Sequence, residues 1–267
     1  MITRLKEYSD TVDDETAFDI DIIGFSRGAA QARDFANQIV SQYRNGYYQY
    51  RDNAGQTRCQ KVNFRFMGLW DTVLSTHTGS YQLRIPDIFT YVAHAVALNE
   101  YRGGAIAFPQ ESIRGVPASN DRTRIERGFL GAHSDIGGGF PERELSKVVL
   151  AWMVDQARQA GVRMRSLDPA DTIVSAQAEI HDKSSNLLTG QPTTSSEDRT
   201  VRYMDGTRAR QRQATGTIME YRDTEPFIRY KPNPTTRDYV SGTVDMQAYL
   251  AWLNQHGYNI NLRVEGL

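Results

Sequence analysis

Gly24-Phe25-Ser26-Arg27-Gly28 is a G-x-S-x-G sequence. Between a strand and a helix, such a pentapeptide makes a turn tight enough to push the serine hydroxyl clear of the backbone. The flanks have the required periodicities. Phe18, Ile20 and Ile22 alternate with polar residues, as a strand does. From Arg27 to Tyr43, residues Ala29, Ala32, Phe35, Ala36, Ile39 and Val40 recur at three- and four-residue spacing, the stripe of a helix. The expected chemistry is attack of Ser26 Oγ on an acyl carbon, with the Arg27 backbone N–H at the helix start as an oxyanion donor. The bland alternative is a serine that merely caps a helix in a glycine-rich turn.

A serine hydroxyl is a weak nucleophile and needs a histidine base oriented by a carboxylate. In chains of this pattern the order is Ser, then Asp or Glu, then His, with each partner just past a strand end. Asp71 is the first polar residue after the apolar run that closes a strand read at Val62–Trp70, although an Asp there could also cap the next turn. His133 follows a third strand read at Ile125–Leu130 and precedes Gly137-Gly138-Gly139. His181, in Glu179-Ile180-His181-Asp182, is the rival base. His94 reads as a core residue of a helix, His77 lies in a loop, and His256 is near the chain's end. Asp135, two residues after His133, suggests a His-x-Asp metal pair, but no third ligand stands at a recognisable spacing. Neither a metal nor an organic cofactor is expected.

The positioning elements read as alternating strand and helix from 18 to 161, which argues for parallel βαβ units. Residues 44–60 read as a loop, Pro86–Leu98 as a helix, Arg143–Ala160 as the clearest helix, and Val244–His256 as a final helix. From about 183 the chain becomes a polar linker. The composition shift divides the protein into a core at 1–185 and an appendage at 186–267, a lid or membrane-docking part. Between 199 and 231 eight basic residues face four acidic ones. That stretch reads as a solvated face or as a contact for anionic headgroups.

Composition bounds the remaining readings. With 31 Lys+Arg against 32 Asp+Glu in 267 residues, the chain lacks the basic excess of a nucleic-acid binder. A lone Cys59 excludes an internal disulfide. The acidic N-terminal stretch does not read as a signal peptide, and no run approaches the ~18 apolar residues of a membrane span. The expected location is cytoplasmic at synthesis, with any export independent of a signal peptide.

Gly24-Phe25-Ser26-Arg27-Gly28-Ala29, Gly68-Leu69-Trp70-Asp71-Thr72-Val73, His94-Ala95-Val96-Ala97-Leu98-Asn99-Glu100 and Gly131-Ala132-His133-Ser134-Asp135-Ile136-Gly137-Gly138-Gly139 occur in that order. Together they resemble the α/β-hydrolase family that includes the type VI secretion phospholipase effectors, over residues 18 to about 160. The resemblance implies an α/β-hydrolase-like parallel sheet flanked by helices, with an irregular C-terminal region. It implies Ser26 as nucleophile, Asp71 as orienting acid, His133 as base, and phospholipase A-type hydrolysis of lipid esters. It also implies secretion-apparatus or immunity-protein partners and contact with a membrane surface. The family's first strands and its upstream oxyanion loop have no room before residue 26, so the sheet reads as N-terminally incomplete. Its open edge would then be covered by a neighbouring polypeptide or by self-association, or leave the chain poorly stable. The reading from another class is a catalytically silent hydrolase fragment acting as an interaction module.

Overall fold

The computed structural model describes residues 7, 11, 16–74, 80–102, 107–115, 123–181, 199–211, 225–230 and 241–266. Its centre is a mixed sheet. Strands β1 (Phe18–Phe25), β4 (Thr57–Trp70), β5 (Tyr91–Ala97) and β7 (Arg124–Phe129) run parallel in that spatial order. Strands β2 (Tyr43–Arg44) and β3 (Tyr47–Arg51) add an antiparallel hairpin to the first residues of β4. Among the described residues β1 pairs with β4 alone, and Ile23 on it is 58 % exposed.

Two stretches fold differently from their sequence reading. The loop expected at 44–60 is mostly strand. Asn45 and Gly46 both take positive φ (50° and 93°), the backbone of a two-residue hairpin turn that Asn-Gly favours. This turn directs Tyr48 and Tyr50 into the core. The helix expected over Pro86–Leu98 is replaced by β5, every residue of which is buried. A strand with neighbours on both sides and helices over both faces reads as an unbroken apolar run. Ile88, Val92, Ala95 and Val96 then fall at helical spacing by accident.

The remaining elements are the helices α1 (Arg27–Ser41), α2 (His133–Gly137), α3 (Glu144–Gln159) and α4 (Met246–Gln255). Alternation along the strands sends side chains to opposite faces of the sheet. Met67, Leu69 and Val92 pack with Ala29, Ala32, Ala36 and Ile39 of α1 on one face. On the other, Phe66, Ala93 and Ala95 pack with Val149, Trp152 and Met153 of α3.

Short strands complete the fold: β6 (Gln110–Glu111), β8 (Ile173–Val174), β9 (Gln177–Ile180), β10 (Thr200–Arg202), β11 (Arg208–Arg210), β12 (Ile228–Tyr230), β13 (Gly242–Asp245) and β14 (Arg263–Val264). They link the C-terminal residues, set apart on composition, to the earlier chain. β10 pairs with β6, β13 with β9, and β14 with β8. Tyr249, Leu250 and Leu253 of α4 share a core with Phe129 and Trp152, and the Tyr249 hydroxyl accepts from the Leu130 N–H at 3.0 Å. No helix among the described residues is long and apolar enough to cross a membrane.

Candidate active site

Ser26 stands between β1 and α1 with φ 62° and ψ −130°. A non-glycine residue in that region costs on the order of 1–3 kcal/mol and persists only where its surroundings over-determine it. Here they do. Its N–H donates to Trp70 O at 2.9 Å, and its carbonyl accepts from Ala29 N at 3.1 Å and Val73 N at 3.4 Å. Gly24 permits the turn, because a Cβ there would lie 2.6 Å from Gly28 O. Arg27 is the first residue of α1, which places its backbone nitrogen at the positive end of the helix, beside the serine.

Asp71 immediately follows β4, next to β1, and also takes a positive φ, 41°. Its N–H donates to Ala95 O at 2.7 Å, and its Oδ1 accepts from Ala97 N–H at 3.0 Å. The following residue is clamped by a buried pair behind the site. Thr72 N–H donates to His94 Nε2 at 3.1 Å, so the proton of that imidazole sits on Nδ1 and is donated to Glu126 Oε2 at 2.9 Å. Burial raises the Glu126 carboxyl pKa, but the hydrogen bonds it accepts from His94, Ile113 N–H and Ser112 Oγ outweigh it and hold it low.

His133 opens α2, separated from the end of β7 by Leu130, Gly131 and Ala132. Its Nε2 lies 2.8 Å from Ser26 Oγ and its Nδ1 2.6 Å from Asp71 Oδ2. With the Nδ1 proton donated to the carboxylate, Nε2 faces the serine as an acceptor. The ring lies between Phe25, at 4.6 Å centroid distance, and Phe108, at 4.8 Å. The guanidinium of Arg102 covers Phe108 at 3.5 Å and pairs with Glu100 at 2.8 Å. Glu100 in turn accepts the His133 N–H at 3.2 Å, while Asn99 Oδ1 accepts the Gly131 N–H at 2.9 Å. The Asn99-Glu100 pair thus ties the end of β5 to the turn that carries His133.

The structure therefore brings Ser26, His133 and Asp71 into one hydrogen-bonded chain at the carboxyl ends of β1, β7 and β4. His181 stands elsewhere. Its Nδ1 contacts Asp135 Oδ1 at 2.7 Å, its Nε2 contacts Glu142 at 3.4 Å, and its ring stacks on Phe140 at 3.9 Å. Asp135 also caps α2 by accepting from Ala132 N–H at 2.9 Å. His256 stacks on Trp252, and His77 lies outside the described residues. Among the described residues no three His, Cys, Asp or Glu side chains gather as a metal site.

Sequence reasoning missed Phe25, Phe108 and Arg199. Arg199, counted among the basic residues of a solvated face or a headgroup contact, is buried instead. Its Nη1 and Nη2 donate to Asp71 Oδ1 and Oδ2 at 2.7 and 2.9 Å. Burial pushes the Asp71 carboxyl up, but the charge of Arg199 and the hydrogen bond from His133 hold it well below the usual carboxylate range. Arg202 of the same cluster pairs with Glu111 at 3.0 Å, whereas Arg212, Arg222 and Lys231 lie outside the described residues.

Gly137 sets the spacing of this site. A Cβ there would lie 2.2 Å from a ring carbon of Phe25, which itself lies against His133. Gly137→Ala is expected to displace Phe25 and, with it, the imidazole. Overpacking should cost about 1–3 kcal/mol of stability, which urea melts of the variant check.

The fold is thus mixed α/β, with a serine, a histidine and an aspartate joined at the carboxyl ends of parallel strands. Residues 36–156 match the family described as the catalytic domain of Tle1-like phospholipase effectors of the type VI secretion system. Among solved structures the chain is similar to an uncharacterized protein from Pseudomonas aeruginosa, at 27% identity. That likeness covers 63% of this chain and 28% of the other, with a TM-score of 0.47. It is also similar to the Tle1 effector bound to the VgrG spike of the type 6 secretion system, at 32% identity. There the match covers 46% of this chain and 25% of the other, with a TM-score of 0.32. The chain spans about a quarter of the length of these two proteins. No curated protein matches it.

Proposed function

We propose that the chain carries the hydrolytic centre of a phospholipase A-type lipid esterase on an α/β-hydrolase-like sheet, exported by a type VI route. One observation carries the reading: the unbroken hydrogen-bonded chain from Ser26 Oγ through His133 to Asp71, at 2.8 and 2.6 Å. The family match supports the substrate class, and its span includes Asp71 and His133 but begins after Ser26.

In this reading Ser26 Oγ attacks the acyl carbon of a glycerophospholipid while its proton passes to His133 Nε2. The carbonyl oxygen becomes an oxyanion, facing the N–H of Arg27. Asp71 stays ionised and holds the Nδ1 proton, so the imidazolium forms opposite a carboxylate. His133 then returns the proton from Nε2 to the departing alcohol, leaving an acyl-enzyme on Ser26. Water repeats the sequence and releases the fatty acid. Phe25 and Phe108 keep the imidazole in its plane throughout.

A fluorophosphonate probe tests the centre without knowledge of the natural lipid. The folded chain should become labelled, with the adduct mapping to the peptide that contains Ser26, and should release fatty acid from phospholipid vesicles. A folded sample that takes up no probe would overturn the hydrolase reading. Labelling without fatty-acid release would overturn the phospholipid and leave another ester as substrate.

A further inference from the structure

Arg199 lies far from Ser26 in sequence and belongs to none of the motifs that suggested the relay. Its side chain is 2 % exposed, and the carboxylate it meets is fully buried. The contact is a fork on a fork, Nη1 to Oδ1 and Nη2 to Oδ2. That geometry fixes the carboxylate plane in a way a lysine ammonium cannot. Two further N–H groups are also used. Nε donates to Phe108 O at 2.6 Å, and Nη1 reaches Ala97 O at 3.2 Å. Phe108 is the residue that stacks on His133. One guanidinium therefore holds two of the groups that border the base.

We infer that Arg199 is a positioning residue of the relay: it turns the Asp71 carboxylate toward His133 Nδ1, anchors the Phe108 wall of the same imidazole, and offsets the carboxylate's charge. The inference rests on the Ser26–His133–Asp71 reading. Its consequence is electrostatic as well as geometric. A carboxylate already bonded to a guanidinium stabilises a neighbouring imidazolium less than a lone one does. The other charged groups around His133 are engaged with partners of their own. Glu100 pairs with Arg102, and Asp135 on α2 pairs with His181.

The segment that bears Arg199 is part of the device. Immediately after it, β10 pairs with β6 and with β11, and Gln211 Nε2 donates to Ala97 O at 2.6 Å, the same carbonyl that Arg199 reaches. Docking of residues 199–211 is thus a condition for a correctly oriented acid.

The experiment is the pH dependence of the fluorophosphonate labelling rate in the full chain, with Arg199→Met and Arg199→Lys beside the wild type. Arg199→Met removes the offsetting charge, so the acid limb of the profile should move to higher pH. Arg199→Lys keeps a charge and loses the fork. Its limb should stay in place while its plateau falls on the order of 10²-fold, with partial recovery of Arg199→Met in added guanidinium. An Arg199→Met limb and plateau that coincide with wild type would overturn the inference. If that variant does not fold, a plateau of Arg199→Lys equal to wild type overturns it instead. A wild-type chain that takes up no probe at any pH counts against the hydrolase reading itself, so the two failures are distinct.

Discussion

Ser26→Ala is expected to lower ester hydrolysis by about 10⁶-fold, to a residual rate set by binding and oxyanion contacts alone. The size of the effect follows from the relay acting as a unit: without Oγ nothing receives the acyl group, and His133 and Asp71 have no proton to manage. His133→Ala should therefore cost nearly as much, and the double variant little more than either single one. Folding should barely notice. Alanine inherits the same φ of 62°, and the elbow is held by backbone bonds to Trp70, Ala29 and Val73 that do not involve the side chain. The melting temperature should stay within about 2 °C of wild type. Initial rates on a soluble acyl ester and thermal melts on the same samples check both halves. A variant that keeps more than a tenth of wild-type turnover would remove Ser26 from the nucleophile's place.

The elbow was legible because every requirement on it is local: alternation before it, a helical stripe after it, glycines within it. The strand ends at Asp71 and His133 were legible for the same reason, since each is the polar or small-residue break in an apolar run. What local pattern could not decide was β5. Its seven residues are buried whichever face they occupy, so the two-residue alternation that marks a half-exposed strand is absent. His94 consequently read as a helical core residue, when in fact it spans from β5 to Thr72 and Glu126. Arg199 was illegible for a different reason. Charge counting treats eight basic residues as equivalent, and only the fold singles out the one whose guanidinium meets a buried carboxylate. The hairpin at residues 43–51 carried its own signal, Asn45-Gly46, which composition alone averaged into a loop.

Asp71→Asn is expected to damage both rate and stability, unlike Ser26→Ala. The carboxylate is ringed by donors. At Oδ1 it meets Ala97 N–H and Arg199 Nη1, and at Oδ2 it meets His133 Nδ1 and Arg199 Nη2. An amide must point its NH₂ at one of these pairs. Both donors at Oδ1 are fixed, whereas at Oδ2 only Arg199 Nη2 is fixed and His133 can change tautomer, so the NH₂ goes to the histidine side. Nδ1 then becomes the acceptor, Nε2 carries the proton, and the imidazole can no longer take the proton of Ser26. Loss of the working tautomer costs about 10⁴-fold in turnover. The same substitution strips Arg199 of its counter-charge in a buried place, which should destabilise the fold by about 3–5 kcal/mol. The two effects separate in Asp71→Asn/Arg199→Met, where the unpaired guanidinium is gone. Urea melts should show most of the stability restored, while hydrolysis stays near the level of the single variant. If stability is not restored, the Asp71–Arg199 pair is not what the single substitution breaks.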